Sequence, residues 1–417
     1  MKRSILIVTS LFVSTSVFAG GYRAALQGQQ ALGMGHTGVA LTDSSEVVFF
    51  NPAGMVFLKD NMDISGGITL IDGFSKYQSQ TANTSSETDN PVGTPISAYL
   101  SKRHDNHLSY GIGLYTPYGN TVEWPTDWAG SHLVNNIALK AIYIQPTVSY
   151  KFNEKYSVGF APIYVTGDVE FNRNLSTSLI DGNGDRSNVT IEASGITAWG
   201  YNLGLLAKPD DKVTVGFSYR SQVDLEARGE KADFQNIPTS LQSNFPDTTF
   251  DADLVLPAEL TIGVAYDFDP NTTLAFDINR TYWGAYKNLN IKFNNGAGTS
   301  LNPRNYEDAN IYRFGVRHKL KNNEKLTVRG GIYFDNSPIQ NGFFSPETPR
   351  NDSIGYTAGA SYKATERMEL DFSFLHLTFK EFEGSYDHIN QSGTLISFGG
   401  DYKSAVTTIG FGLNYKY

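Results

Sequence analysis

The sequence predicts an all-β fold: a transmembrane antiparallel β-barrel of fourteen strands with an N-terminal hatch, or plug, inside its lumen. Three observations support it. Apolar and polar residues alternate through most of the chain, short and long connections alternate, and the chain begins with a segment typical of an export signal. No later stretch reaches the roughly 18 apolar residues that a membrane-spanning helix needs.

The C-terminal residues 405–417 show the strand pattern most clearly. Side chains in a strand have a period of two, so this stretch has one apolar face and one polar or small face. The apolar face holds Ala405, Thr407, Ile409, Phe411, Leu413, Tyr415 and Tyr417. The same alternation recurs over 212–220, 259–268, 311–319, 326–335, 354–363 and 367–374. In a membrane barrel the apolar face meets lipid and the polar face lines the lumen.

The connections between these stretches sort by length. Short polar turns fall at 103–106, 153–155, 209–211, 269–271, 321–324 and 364–366. Longer polar or Gly-rich stretches fall at about 78–94, 119–138, 172–195, 229–252, 294–306, 336–351 and 382–400. Thirteen alternating connections give fourteen strands, with short periplasmic turns and long outer loops. A soluble β-sandwich has no reason to sort its loops in this way.

The start of the chain predicts three regions: a signal peptide over 1–19, a hatch over 20–60 and the barrel over 61–417. Lys2 and Arg3 precede a short apolar run, and Val17-Phe18-Ala19 is a small-residue cleavage site. Loss of the two cations with the signal changes the formal charge from −9 to −11. An acidic chain without a basic patch argues against a nucleic-acid partner, and the absence of cysteine suits an oxidising periplasm.

Residues 20–60 do not alternate and are rich in Gly, Ala and Gln. Their apolar content favours a plug inside the barrel over a disordered periplasmic tail. The apolar residues concerned are Val47, Val48, Phe49, Phe50, Met55, Phe57 and Leu58.

The motif Asn51-Pro52-Ala53-Gly54, preceded by Gly33-Met34-Gly35, resembles the hatch of the outer-membrane hydrophobic-compound transporters, typified by the long-chain fatty acid transporter and its toluene-uptake relatives. Further segments that resemble the family, in the same order along the chain, are 115–119, 218–222, 256–259 and 335–338. We therefore assign Gly33, Gly35, Asn51, Pro52 and Gly54 to a hatch motif.

The resemblance implies a monomeric barrel that captures ligand among its outer loops, holds it in an apolar lumen pocket and releases it sideways where a strand kinks. Tyr115, Pro117 and Gly119 are the predicted lateral opening, because proline leaves a gap in a ladder and glycine permits a bend. The alternative is that the third strand (about 106–118) simply ends there. Trp124 and Trp128 are predicted as interface anchors or contacts for arriving ligand.

The resemblance also implies a ligand site in the hatch and lumen. Its predicted residues are Tyr22, Leu26, Phe49, Phe50, Arg220 and Lys287. The family's fatty-acid member places basic residues near the ligand carboxylate, and those positions hold Thr166 and Asn290 here. Arg220 and Lys287 could substitute for them. Alternatively, lumen arginines pair with carboxylates such as Asp277, Glu259 and Asp371.

The expected function is passive uptake of hydrophobic compounds, with long-chain fatty acids first and aromatic hydrocarbons second. A general porin or an adhesin are the alternatives, and no enzyme activity, cofactor or metal is predicted. Expected partners are the lipopolysaccharide and lipids of the outer membrane, and the barrel-assembly machinery through the strand ending at Tyr417. Residues 181–185 with Glu192 resemble a calcium loop, but Arg186 stands where glycine is required, so a solvated turn is the alternative.

Overall fold

The computed structural model describes residues 21–294, 296, 298–389 and 393–417. The predicted signal peptide lies outside these residues. The described chain forms an antiparallel sheet that closes on itself, because the first strand pairs with the last from Asp63↔Lys416 to Gln78↔Asp401.

The strand segments are numbered in chain order. They are β1 (Met62–Gln78), β2 (Ser85–Glu87), β3 (Ile96–Arg103), β4 (Leu108–Glu123), β5 (Asn136–Asn153), β6 (Tyr156–Asn174), β7 (Asn188–Ala207), β8 (Val213–Arg220), β9 (Val223–Gln235), β10 (Thr248–Leu256), β11 (Glu259–Asp269), β12 (Thr272–Thr281), β13 (Ile291–Phe293), β14 (Gly298–Ser300), β15 (Ala309–Lys319), β16 (Leu326–Asp335), β17 (Ser353–Lys363), β18 (Met368–Phe379), β19 (Phe382–Ile389) and β20 (Leu395–Lys416).

These segments build a wall of fourteen strands, which confirms the predicted number. Three wall strands are each interrupted once, so that β8 continues into β9, β10 into β11, and β18 into β19. The short segments β2, β13 and β14 belong to the outer connections. Segment β2 pairs with the outer part of β1, β13 pairs with β10, and β14 pairs with β13.

The predicted outer and inner faces are also confirmed. On β20 the side chains of Ile409, Phe411 and Leu413 are exposed, whereas Thr408 and Asn414 are buried in the lumen. An apolar outer face is stable only against lipid, since burial of apolar surface from water is the main favourable term.

Strand boundaries at the outer end differ from the prediction. The third wall strand, β4, runs to Glu123 instead of ending at 118, and β9 continues to Gln235 through a stretch predicted as loop. Above the lipid both faces of a strand meet water or polar groups, so the backbone ladder continues while the apolar alternation is lost.

Residues 21–61, the N-terminal segment, lie inside the barrel. They contain helices α1 (Gln29–Leu32) and α2 (Val47–Phe50) and a 3₁₀ helix over Pro52–Phe57. Nearly all of residues 27–58 are buried. Among the described residues, no helix has the length and apolarity needed to cross a bilayer.

The N-terminal segment packs against glycines of the wall. At each of these positions a Cβ would meet an atom of the segment at close range. These wall glycines are Gly67, Gly111, Gly113, Gly159, Gly204, Gly216, Gly263, Gly315, Gly331, Gly359, Gly410 and Gly412. Without side chains there, the backbone of the wall leaves room for the segment.

Candidate functional site

An apolar pocket lies in the outer half of the lumen, above the N-terminal segment. Its empty space is about 1100 Å³, part of it open to solvent. Alternate residues of β5, β6, β7, β9 and β10 point inward to form its walls. The inward aliphatic residues include Leu139, Val169, Ile191, Ile196, Leu225 and Leu254.

Tyr22 forms part of the floor of this pocket. Its hydroxyl donates a hydrogen bond to the carbonyl oxygen of Val255. Its ring meets those of Trp283 and Tyr286 edge-on, with centroid distances of 4.9 and 5.5 Å. Aromatic pairs in this arrangement stabilise a packed site beyond their buried area. The N-terminal segment is therefore in direct contact with the pocket.

The pocket has a polar end built by two arginines. The Nε atom of Arg304 donates to Oε1 of Glu347 at 3.0 Å, and its Nη1 donates to the hydroxyl of Tyr386 at 2.9 Å. Arg173 on β6 donates from Nη2 to the hydroxyl of Ser300 at 3.2 Å. The pocket thus combines an apolar wall with a small set of buried or half-buried cationic and polar groups.

The protonation states at this end follow from burial and neighbouring charge. Burial acts to lower the pKa of Arg304, but the Glu347 carboxylate more than offsets this, and the pKa stays above its ordinary value. Burial raises the pKa of Tyr306 to about 12. Arg304 is therefore a permanent cation and the Tyr306 phenol stays neutral at physiological pH.

The wall is kinked at the predicted lateral opening. The register of β4 against β5 shifts between Tyr115 and Tyr118, so that Pro117 lies within the strand and not at its end. On the other side, β3 pairs with β4 only as far as Ala98↔Leu114. The outer part of β4 therefore lacks its β3 partner, as proline and a bulge together favour.

Residues 22–24 occupy the free edge of β4. The amide of Ala24 donates to the carbonyl of Pro117 at 2.8 Å, and the amide of Gly119 donates to the carbonyl of Tyr22 at 3.0 Å. The start of the N-terminal segment thus pairs like a short strand with the kinked part of β4. We call this place the β3–β4 break.

A buried ion cluster lies beside this break. Arg23 pairs with Glu259 at 2.8 Å, and Arg220 approaches the same carboxylate at 4.0 Å. Arg220 also donates to the carbonyl of Phe49 at 2.8 Å, with its guanidinium 4.4 Å from the ring centroid of Phe49. Arg220 therefore serves a protein carboxylate and carbonyl, the alternative considered for lumen arginines.

The remaining predicted site residues are not gathered at the pocket. Phe49 and Phe50 pack edge-on in the N-terminal segment, with Phe49 also against Tyr115. Leu26 packs in a separate cluster with Leu32. Lys287 has an exposed side chain, and its backbone carbonyl accepts from the backbone amide of Arg304. Of the six predicted ligand residues, Tyr22 alone lines the pocket.

Trp124 and Trp128 are stacked on each other and buried among the outer connections. Their ring centroids are 4.3 Å apart, and their indole groups donate to the carbonyls of Pro346 and Val134. This position differs from an exposed interface anchor. Contact of either ring with an arriving ligand requires the outer connections to move.

Sequence reasoning missed Arg173, Arg304 and Glu347. All three lie in or near segments predicted as outer loops. No sequence pattern indicates that Arg304 comes close to the pocket floor at Tyr22. The positions expected to hold the family's basic residues, Thr166 and Asn290, are absent from the pocket lining. At 181–185, the carboxylate of Asp181 accepts from the amides of Asn183 and Asp185, and the described residues hold no group of three metal-ligating side chains.

A closed barrel with an apolar outer face defines the class of outer-membrane β-barrel proteins. A family model described as outer membrane protein transport protein (OMPP1/FadL/TodX) matches residues 10–417. The chain belongs to this family and is a protein of the outer membrane of a Gram-negative bacterium.

Individual relatives are distant but match end to end. Outer membrane protein P1 of Haemophilus influenzae is 21% identical over 465 residues, covering 100% of this chain and 99% of that protein. The long-chain fatty acid transport protein of Escherichia coli K12 is 22% identical over 444 residues, covering 97% and 98%.

Two solved structures share the fold. The structure of a Pseudomonas aeruginosa FadL homologue superposes with a TM-score of 0.84 at 18% identity, covering 95% of this chain and 100% of that one. The Pseudomonas putida toluene transporter TodX gives a TM-score of 0.70 at 17% identity, covering 96% and 99%.

Proposed function

We propose that the protein takes up hydrophobic compounds passively across the outer membrane, with long-chain fatty acids as the preferred ligands. The observation that carries the proposal is the polarity of the pocket, an apolar wall ending at half-buried Arg173 and buried Arg304. Burial of apolar surface contributes roughly 25 cal/mol per Å², so an acyl chain is held firmly there. Arg173, which forms no ion pair among the described residues, would bind the carboxylate through charge-assisted hydrogen bonds, whereas Arg304 is already paired with Glu347.

In this proposal the N-terminal segment is a hatch coupled to ligand binding. A ligand on the pocket floor contacts Tyr22, whose backbone also holds the edge of β4 at Gly119. Displacement of Tyr22 would remove the filling of the β3–β4 break. The ligand would then leave sideways between β3 and β4. Ligand binding can shift this equilibrium only through its different affinity for the two states.

Uptake of aromatic hydrocarbons is the second candidate, and the edge-on rings of Tyr22, Trp283 and Tyr286 favour it. The P. putida protein of the same fold is a toluene transporter. A general porin is less consistent with a lumen that contains the N-terminal segment. Single-channel conductance in planar bilayers separates the porin from the transporter, because a porin gives a steady open pore.

An affinity measurement separates the two ligand classes. Loss of a hydrogen bond to a charged group costs about 1.5–3 kcal/mol, so Arg173→Gln should weaken oleate binding by about tenfold or more. Toluene lacks a carboxylate, and its binding should not change. The measurement is calorimetric titration of the purified protein in detergent with each ligand.

Arg280→Gln is the matched control, since Arg280 forms a half-exposed pair with Asp308 outside the pocket. Equal losses for oleate and toluene in Arg173→Gln would show that the arginine does not bind a carboxylate. Absence of oleate uptake by cells that carry the unchanged protein, in a strain deleted for its own transporter, would refute the fatty-acid proposal itself.

We further propose that the protein is a monomer in contact with lipopolysaccharide and lipid, and that the barrel-assembly machinery recognises β20. The terminal Tyr417 is exposed, and the guanidinium of Arg367 lies 4.8 Å from its ring centroid. Removal of Tyr417 should lower the amount of protein in the outer membrane. An unchanged amount would argue against this recognition.

A further inference from the structure

The wall has a second break, between β7 and β9. The lower part of β7 pairs with β8 from Ala207↔Val215 to Asn202↔Arg220, and its outer end pairs with β9 from Glu192↔Lys231 to Asn188↔Gln235. Among the described residues, no main-chain hydrogen bond joins 193–200 to 223–230. We call this place the β7–β9 break.

Two bulges account for the separation of the strands. On the β6 side of β7 the register shifts beside Gly195, whose φ is +65° and whose amide donates to Asp168 at 2.8 Å. On the β10 side of β9 it shifts beside Gly229, whose φ is +67° and whose amide donates to Asp251 at 2.9 Å. Each bulge adds residues to one strand and bends it, so β7 and β9 diverge.

Aliphatic side chains fill the β7–β9 break. Ile196 and Ala198 on β7 pack against the apolar cluster that contains Val223 and Leu225 on β9. Leu225 reaches as far as β6, where its Cδ1 is 2.8 Å from the position that a Cβ on Gly167 would take. Since the filling is made of side chains, it can move aside without loss of main-chain hydrogen bonds.

The same residues separate the outside from the apolar pocket. Ile196 and Leu225 also line that pocket, so their outward displacement would connect it directly with the barrel exterior. The pocket therefore ends at the β7–β9 break on one side and at Tyr22 on another.

The outward residues around the break place it at the outer boundary of the lipid. Below the break, Leu203 and Leu205 face outward and are exposed. At its lower end the exposed outward residues are Trp199 and Tyr201. On the β9 side the outward residues along the break itself are Asp224, Glu226 and Arg228, and Lys231 follows above it. Aromatic residues mark the level of the headgroups in membrane barrels, and charged residues lie beyond it.

We propose that the β7–β9 break is a side entrance, through which the apolar chain of a ligand passes from the surface of the outer leaflet into the pocket. This inference rests on the proposed uptake of hydrophobic compounds. It assigns entry to this break, whereas release is assigned to the β3–β4 break.

A reversible cross-link tests the entrance. A Cβ on Gly200 would lie 2.8 Å from Cγ2 of Val223, which suits the Cβ-to-sulfur spacing of a disulfide. The chain contains no cysteine, so the double variant Gly200→Cys with Val223→Cys forms a single defined bond at the lower end of the break. The control pair is Leu203→Cys with Tyr219→Cys, register partners in the intact part of β7 and β8.

The readout is uptake of labelled oleate by cells before and after oxidation and again after reduction, with heat-modifiable gel mobility as a check of folding. Oleate uptake by cells with the double variant Gly200→Cys with Val223→Cys should fall several-fold on oxidation and return on reduction. The control pair should transport equally in both states. A diazirine-bearing palmitate should also label outward-facing residues of the break that do not line the pocket, Thr197 or Trp199 on β7 and Glu226 on β9, in the reduced protein.

Equal uptake by the oxidised and reduced Gly200–Val223 pair would overturn the side entrance while leaving the uptake function intact. If cells with the unchanged protein take up no oleate, the proposed function fails instead. Label that appears only on the outer connections would likewise overturn the entrance, because it would show that ligand arrives from above.

Discussion

The barrel wall is interrupted at the β3–β4 break and at the β7–β9 break, and the two are filled by different material. The backbone of residues 22–24 fills the first with main-chain hydrogen bonds to β4. Aliphatic side chains of the wall itself fill the second. The state of the first therefore depends on the position of the N-terminal segment, whereas the second can respond to a local apolar ligand. This difference matches the proposed exit, which the N-terminal segment would control, and the proposed entrance, which it would not.

The largest effect on stability should come from loss of the ion pair that binds the N-terminal segment to the wall at the β3–β4 break. Arg23 and Glu259 are both buried, and loss of one partner of a buried pair costs about 3–5 kcal/mol. In Arg23→Gln we expect a lower unfolding temperature and faster amide exchange at Ala24 and Gly119. Amide exchange followed by mass spectrometry reports this.

The same variant should leave the second break unchanged, so disulfide formation between cysteines at 200 and 223 should keep its rate. Faster formation of that disulfide in Arg23→Gln would show that the two breaks are coupled. Arg280→Gln, which removes a half-exposed pair worth about 0–1 kcal/mol, is the control.

A smaller effect is expected at the second break itself. Leu225→Ala removes a side chain that fills this break and should lower the free energy of unfolding by about 2–3 kcal/mol. The loss is at the low end of the range for a buried leucine, because Leu225 already borders the pocket. Oleate uptake should rise or stay equal, while amide exchange at Gly119 should not change. A faster Gly119 amide would contradict the independence of the two breaks. Leu203→Ala, on the lipid face of the intact part of β7, is the control for stability.

The smallest effect on stability is expected from alanine substitutions at Gly330 and Gly331, adjacent glycines on opposite faces of β16. A Cβ on Gly331 would clash with the backbone of Gly35 and push the N-terminal segment away, at about 1–3 kcal/mol. A Cβ on Gly330 has its nearest neighbours at 3.9 and 4.0 Å, so Gly330→Ala should change stability by about 0.5 kcal/mol or less. Thermal unfolding in detergent compares the two, and equal melting temperatures would mean that the segment does not rest on Gly331.

The wall could be predicted from the sequence because its alternation has a physical cause at every strand. Phe411 and Leu413 face lipid, and Thr408 and Asn414 face the lumen, as the period of two requires. Tyr22 was found through the family resemblance. Arg304 was not, because its place at the pocket depends on how an outer connection folds over the barrel.

The β7–β9 break also has no sequence signal. Val223, Leu225 and Ala227 alternate with polar residues as they would in an intact strand. Whether such a strand pairs on both sides is decided by bulges in its neighbours, and a bulge at Gly195 or Gly229 cannot be recognised from a single glycine.

The wall glycines have a consequence for assembly. Gln29 of the N-terminal segment lies against Gly67 of β1 and against Gly410 and Gly412 of β20, the two strands whose pairing seals the cylinder. The side-chain amide of Gln29 also donates to the hydroxyl of Thr69 at 2.9 Å. A finished cylinder offers no clearance for inserting a chain that touches its backbone around the circumference. We therefore expect sealing of the β1–β20 seam and seating of the N-terminal segment to be one folding event, with the segment inside before β1 and β20 pair.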